Sequence, residues 1–96
     1  MPGTSIVTVH VPPPLRYEVG GAAQLELQAA ASVRALLVEL ERAHPLLHRN
    51  VCDETGRVRR HVNLFVNSTN ILYREGLETP LVPGDAVTIL PAVSGG

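Results

Sequence analysis

The sequence predicts a small α+β domain in which one β-sheet packs against one main helix. An alternating β-branched stretch near the start, an amphipathic stretch after residue 32 and two alternating stretches in the second half indicate this class. The 96 residues have room for one domain. Hydrophobic content is 45%, typical of a globular chain, and only three residues are aromatic, so we expect an aliphatic core.

The first predicted element is a half-buried strand over residues 4–11, with three valines on one face. Pro12-Pro13-Pro14 ends this strand, because proline has no N–H to donate to a sheet. We interpret the three prolines as a rigid loop rather than a polyproline ligand. Gly20-Gly21 then offers a turn before a short strand at residues 24–27, so the pattern predicts an antiparallel hairpin.

The clearest helical pattern begins after Ser32, whose hydroxyl can cap a backbone N–H at the start of a helix. Pro45 ends the pattern, and residues 46–51 indicate a further short helical turn. Each large apolar side chain of the helix contributes about 1.5–3 kcal/mol when buried, before entropy is counted. We therefore expect this helix to be the main packing partner of the sheet. The apolar stripe consists of Val33, Leu36, Leu37, Leu40 and Ala43.

Residues 61–67 alternate strictly, which predicts a strand with three aliphatic side chains on one face. Phe65 is the exception, because it stands among the polar residues of the other face. If the aliphatic face packs under the helix, Phe65 lies on the open face of the sheet. We expect Leu90 and Ile6 on that same face, where the three would form a docking patch for a partner protein.

The remaining strands follow from turn residues and β-branched runs. Residues 67–70 form a turn, and Ile71-Leu72 is predicted as a short edge strand. Gly84-Asp85 precedes the last strand, which covers residues 86–90. The simplest right-handed connection puts the first and last strands side by side and parallel in the middle of the sheet.

Composition and motifs exclude several classes of function. A net charge of −1 gives no electrostatic footprint for nucleic acid, and no apolar run approaches the roughly 20 residues of a membrane span. No secretory signal pattern is present, and one cysteine cannot form an internal disulfide, so we expect a cytoplasmic location. The spacing of residues indicates no nucleophilic triad and no glycine-rich phosphate loop, so we expect no catalytic group in this chain.

Three other features have alternative interpretations. Among the histidines only His44 and His48 have ligand spacing, and they straddle Pro45, so we predict no metal site. Cys52 is interpreted as an inert thiol, with a sulfur-relay role as the unsupported alternative. The basic run over residues 57–61 is interpreted as a solvated loop and strand start, and its alternative is a docking patch for an acidic partner surface.

The last five residues follow Pro91 and have almost nothing to bury. They predict a division into a domain over residues 1–91 and a tail over residues 92–96. Extended, the tail spans about 17 Å. Its glycine end is slim enough for a narrow cleft and carries a carboxylate that is ionised at neutral pH. A frayed terminus is the alternative interpretation.

Three stretches together resemble the ThiS/MoaD family of sulfur-carrier proteins. The resemblance covers essentially the whole chain, and its most specific part is the ending Gly-Asp-x-Val-x-Ile-Leu-Pro-Ala-Val-x-Gly-Gly. The opening around Pro12-Pro13-Pro14 and the entry Arg60-His61-Val62-Asn63 are most similar to the CysO-like branch, which serves cysteine biosynthesis. The three stretches are residues 61–67, 75–81 and 84–96.

The resemblance implies a β-grasp, ubiquitin-like fold, with a mixed sheet of four to five strands packed on one main helix. It also implies that Gly96 is adenylated by a ubiquitin-activating-like adenylyltransferase, which uses ATP and Mg²⁺, and then converted to a thiocarboxylate. The chain itself would bind no cofactor and would not be an enzyme. It would serve as a protein co-substrate that donates sulfur to the synthesis of cysteine or of a thio-containing cofactor or metabolite.

The family resemblance also implies partners and a mode of contact. The partners are the adenylyltransferase, a sulfur donor protein and a sulfur-accepting synthase. Three alternatives stay open: a ubiquitin-like modifier conjugated through Gly96, the small subunit of molybdopterin synthase, and a plain interaction domain with an incidental tail. The residues that would insert into the partner's cleft with Gly96 are Pro91, Ala92, Val93, Ser94 and Gly95.

Overall fold

A computed structural model describes residues 6–28 and 31–91 of the chain. Within these residues lie five strands and two α-helices, joined in part by three 3-10 helices. The strands are β1 (Ile6–His10), β2 (Gln24–Gln28), β3 (Val62–Val66), β4 (Thr69–Asn70) and β5 (Ala86–Pro91). The α-helices are α1 (Val33–Ala43) and α2 (Pro45–Val51), and the 3-10 helices are Pro13–Val19, Ile71–Tyr73 and Gly76–Glu78.

The strands form one mixed sheet in the order β2-β1-β5-β3-β4. β1 and β5 pair in parallel at its centre, and the other neighbours are antiparallel. The predicted α+β class, the antiparallel first hairpin and the parallel pairing of the first and last strands are confirmed. The connection between β1 and β2 is a 3-10 helix that ends at Gly20, whose φ of 68° is the left-handed conformation that favours glycine.

One face of the sheet and the apolar stripe of α1 form the core. Ser32 caps α1 as predicted, since its Oγ accepts a hydrogen bond from the N–H of Ala35 at 3.2 Å. Pro45 ends α1 and is also the first residue of α2, where its missing N–H costs nothing. The buried members of the stripe are Val33, Leu36, Leu37 and Leu40, and Val7, Val9, Leu64, Val66, Val87 and Ile89 face them from the sheet.

The edge strand differs from the sequence prediction. It is β4, which lies two residues before the predicted Ile71-Leu72. Asn67 adopts a left-handed φ of 56°, which allows a two-residue turn that sets Thr69 opposite Val66. The side chain of Asn70 then accepts a hydrogen bond from the N–H of Leu72 at 2.9 Å, so the chain enters a 3-10 helix instead of continuing the strand.

Candidate functional site

The candidate site is the end of β5, the last described strand, which the predicted tail of residues 92–96 follows in the chain. Pro91 is the last residue of β5 and lies opposite Val62 of β3, one residue beyond the predicted end of the strand. The Asn67 N–H donates to the Ala86 carbonyl at 2.7 Å, so Asn67, which follows β3, and Ala86 of β5 are a hydrogen-bonded pair. Hydrogen-bonded and non-hydrogen-bonded pairs alternate along antiparallel strands, and Val62 and Pro91, five residues further along, are a non-hydrogen-bonded pair. A proline fits there because it needs no N–H.

The predicted tail residues beyond Pro91 lie outside the described residues. These are Ala92, Val93, Ser94, Gly95 and Gly96. Their insertion into a partner and the modification of Gly96 therefore stay predictions. The structure does describe the root of the tail: Leu90 and Pro91 pair with β3 on one side, whereas the pairing of β1 with β5 ends at His10 and Thr88.

The face of the sheet turned away from α1 is open. A row of side chains crosses it in register at the level of Thr88, and none of them is acidic or an arginine. Burying such a surface against a partner would strand no formal charge away from water, apart from any carried by the histidine. From β2 to β4 the row consists of Gln24, His10, Thr88, Phe65 and Asn70.

Phe65 and Leu90 lie on this open face, as the alternation predicts. Thr88 lies directly opposite Phe65, and Leu90 follows two residues later on the same strand and face. Diagonal neighbours of this kind have Cα atoms about 7–8 Å apart, within contact distance of an aromatic side chain. Leu90 is 43% exposed and Phe65 is half-buried. The two predicted residues are therefore adjacent, next to the root of the tail, and their docking role stays a prediction.

The structure does not bring Ile6 to this patch, which corrects the sequence prediction. Ile6 does lie on the open face, but the parallel pairing places the start of β1 beside the start of β5. The Gly84 N–H donates to the Ile6 carbonyl at 2.9 Å, which fixes Ile6 four residues before the level of Thr88. That offset is about 13 Å along the strand. Sharing a face is therefore not enough to place Ile6 near Leu90.

The alternation predicts polar residues on the face of Phe65, but it does not predict which of them lie beside the patch. Asn63 lies directly opposite Leu90, and the Asn70 amide is 3.5 Å from the Asn63 side-chain oxygen. Thr88 separates Phe65 from His10 in the row. Alternation along a strand gives the face of each side chain, but the neighbours across the sheet follow only when the register between the strands is also known. The patch is thus a pair of apolar side chains bordered by the polar residues Asn63 and Thr88.

Cys52 lies away from this site, after α2 on the helical side of the sheet. Its side chain is buried, with 1% of the residue exposed. Burial raises the pKa of the thiol to about 11, with further increases from Asp53 and Glu41 and a smaller opposing effect of Arg59. The thiol is protonated at neutral pH, whereas the thiolate is the reactive form. This supports the interpretation of Cys52 as an inert thiol.

The described residues contain neither a cluster of metal-binding side chains nor a helix that could span a membrane. Residues 6–28 and 31–91 contain no group of three or more His, Cys, Asp or Glu side chains arranged to hold a metal ion. In the same residues, no helix has the length and hydropathy required to cross a membrane. The absence of a metal from the protein stays a prediction.

Comparison with known proteins gives the family. A model of the ThiS family matches residues 9–96, nearly the whole chain and its last glycine. The chain belongs to the ThiS family. A curated relative is the sulfur carrier protein CysO of Mycobacterium tuberculosis, which is 37% identical over 93 residues that make up 94% of this chain and 98% of that protein.

Solved structures similar to this ThiS-family chain include the crystal structure of M. tuberculosis CysO, with a TM-score of 0.81 and 34% identity over 91% of this chain and 99% of that one. CysO in the crystal structure of the Amycolatopsis orientalis BexX/CysO complex has a TM-score of 0.79 and 36% sequence identity, over 94% of this chain and 99% of that chain. The solution structure of small archaeal modifier protein 1 of Methanosarcina acetivorans has a TM-score of 0.79 and 32% sequence identity, over 99% of this chain and 100% of that chain. The resemblance to the family, its CysO-like branch and the β-grasp fold is confirmed.

We predict that native Cys52 reacts slowly with an aromatic disulfide reagent at pH 8, and that its rate rises as the pH approaches its pKa of about 11. The same chain unfolded in urea should react much faster, because the thiol is then exposed and its pKa returns to about 8.5. The release of the coloured thiol measures both rates. Equal rates for native and unfolded chain at pH 8 would contradict burial and make a sulfur-relay role tenable again.

Proposed function

We propose that this chain is a sulfur carrier that holds sulfur as a thiocarboxylate on Gly96 and is not itself an enzyme. The observation that carries the proposal is the match of the ThiS family through Gly95-Gly96, four and five residues beyond Pro91 at the end of β5. The 37% identity to a protein named as a sulfur carrier, over nearly the full length of both chains, supports it.

The chemistry begins with an unreactive carboxylate, whose charge repels nucleophiles and whose oxygen is a poor leaving group. An adenylyltransferase joins the Gly96 carboxylate to the α-phosphate of ATP, with Mg²⁺ as the enzyme's metal, and releases pyrophosphate. Sulfide, or a persulfide on a donor protein, then attacks the acyl carbon. A C–S bond forms, the C–O bond to AMP breaks, and AMP leaves with the electron pair. With a persulfide, a reductant cleaves the S–S bond and frees the thiocarboxylate.

The chain's own residues present and orient the tail. The catalytic groups, ATP and Mg²⁺ belong to the partners in this proposal: the adenylyltransferase, the sulfur donor and a sulfur-accepting synthase. The protonated, buried Cys52 supports a separate donor, because it offers no thiolate for relaying sulfur. The CysO-like branch favours a cysteine-forming synthase as the acceptor.

Phe65 and Leu90 form the docking patch for the adenylyltransferase in this proposal. They lie diagonally across β3 and β5, next to Pro91, so a partner that covers them holds the root of the tail. Holding the root limits where Gly96 can lie, which serves the positioning that acyl transfer requires. The row around them contains no carboxylate and no arginine, which lowers the cost of removing this part of the face from water.

A second candidate function is protein modification through the same glycine. The 32% identity and TM-score of 0.79 to a small archaeal modifier protein favour it. Both functions begin with adenylation, and they differ in whether sulfide or an amine attacks. All eight basic residues of this chain are arginine, so lysine-linked conjugates between two copies cannot form. Any lysine-linked conjugate must contain another protein, which makes the two functions separable by mass.

We predict that removing Gly96, or adding one residue after it, abolishes adenylation, measured as ATP–pyrophosphate exchange with the activating enzyme. Removing or adding one residue shifts the terminal carboxylate by about 3.4 Å along an extended chain, whereas near-attack geometry tolerates errors of only about 1 Å. Thermal unfolding of both variants should match that of the native chain. Exchange at the native rate in either variant would contradict the carrier function.

We predict that Phe65→Ala weakens binding to the activating enzyme by about 1 kcal/mol or more. Its cost in unfolding free energy should stay below the roughly 3–5 kcal/mol of a fully buried phenylalanine, because Phe65 is half-buried. Titration calorimetry and urea unfolding measure the two effects. Val82→Ala is the control: this exposed residue precedes β5, at the end away from the tail. Equal binding losses in both variants, or native affinity in Phe65→Ala, would contradict the docking patch.

A further inference from the structure

A small groove lies beside β3, on the flank that β4 leaves uncovered. β4 pairs only with Phe65 and Val66, so within the described residues no strand pairs with Val62–Leu64 on that side. The groove has a volume of about 180 Å³. This is below the roughly 300–1,000 Å³ of pockets that enclose small-molecule ligands. It suits one or two side chains of a peptide.

The charge of the groove has one sign. Arg59 and Arg60 line it, and none of its described lining residues is acidic. The ion pairs of the described residues are Arg34–Glu78 and Arg42–Glu39, so Arg59 and Arg60 belong to neither. Arg59 is held in place, since its Nε donates to the Arg49 carbonyl at 2.8 Å. The pKa of Asp53 is lowered first by the hydrogen bond from the Thr55 side chain and last by the charge of Arg59, and Arg60 has no part in it.

The backbone beside the groove is arranged to accept a strand. Asn63 and Phe65 are the residues of β3 that exchange hydrogen bonds with β5, as the Asn67–Ala86 bond establishes. The backbone groups of Val62 and Leu64 therefore point to the same side as β4. The Val62 N–H is used by the Arg59 carbonyl at 3.0 Å, and the register sets Ile71 opposite Leu64, where its N–H faces the Leu64 carbonyl. The Val62 carbonyl and the Leu64 N–H, on either side of Asn63, are the groups directed toward an added strand.

Apolar side chains border the same flank. Leu72 lines the groove and is 75% exposed, and Tyr73 follows it with 85% exposed. A larger groove of about 710 Å³ between α1, α2 and the loop after α2 is less informative, because arginines and carboxylates both line it and its charge selects no partner. The small groove combines an open strand edge, an exposed leucine and two arginines outside the ion pairs of the described residues.

We propose that this groove, the arginine edge groove, binds an extended acidic peptide segment of a partner protein. The segment adds as a strand beside Val62–Leu64 and places an apolar side chain against Leu72. Its carboxylates lie near Arg59 and Arg60. Positive charge of this kind selects an acidic segment over a basic one and speeds its association. This site lies at the edge of the sheet and does not depend on the chemistry of Gly96.

The test uses the full chain labelled with ¹⁵N and a peptide of about ten residues that alternates valine and glutamate, with both ends blocked. We expect amide shift changes confined to residues 58–64 and 70–72, and slower hydrogen exchange of the Leu64 N–H when the peptide is bound. Arg60→Glu should weaken binding about 10-fold or more. Raising the salt from about 0.05 M to about 0.3 M should weaken it several-fold.

Two controls make the test decisive. Arg42→Glu makes the same charge reversal on the exposed side of α1, away from the groove. It should leave the affinity for the peptide within about 2-fold of the native value, because salt screens the interaction between a distant charge and the bound peptide. A peptide that alternates valine and lysine should not bind. Loss of affinity in Arg42→Glu equal to that in Arg60→Glu overturns the proposal. So do shifts elsewhere on the surface, absence of binding, or the same shifts with inorganic phosphate alone.

Discussion

The parallel pairing of β1 with β5 at the centre of the sheet determines the rest of the structure. Parallel neighbours require a long crossover, and here that crossover includes α1, which covers one face of the sheet and leaves the other open. The pairing ends at His10 and Thr88, so β5 continues past β1 with only β3 beside it. β5 is therefore central along most of its length and has a neighbour on one side only at its end, just before residues 92–96.

In this arrangement the residues that stabilise the fold and the residues available for contact with a partner lie on different sides of the sheet. The aliphatic side chains of α1 and the sheet are buried together, and Cys52 is buried on the same side, where burial raises the pKa of its thiol to about 11. The open face has Phe65 and Leu90 next to the end of β5, in a row without carboxylates or arginines. Partner contacts can thus involve the open face and the strand edge without disturbing the core. The proposed carrier function, with several partner enzymes in turn, is compatible with this separation of core and contact surfaces.

The sequence predicts the helix, the strands and the face on which Phe65 lies, because periodicity and capping are local properties. It does not predict which residue lies opposite Phe65, because register depends on strands distant in the chain. Ile6 shows the consequence: it shares the open face with Leu90 but lies at the other end of the sheet. The edge strand is Thr69–Asn70 and not the predicted Ile71-Leu72, because the left-handed conformation of Asn67 makes the turn shorter than predicted. The resulting β4 has only two residues, which leaves the arginine edge groove exposed. The terminal diglycine, by contrast, is visible in the sequence itself.

The central claim, that Gly96 carries sulfur, is tested most directly by the intact mass of the chain after incubation with the activating enzyme, ATP, Mg²⁺ and sulfide. We expect the mass gain of one oxygen replaced by sulfur, and fragmentation should locate it at Gly96. A chain of unchanged mass, under conditions in which the same enzyme converts an established carrier, would contradict the claim. Conjugates to lysines of other proteins without any sulfur-bearing form would show a modifier instead.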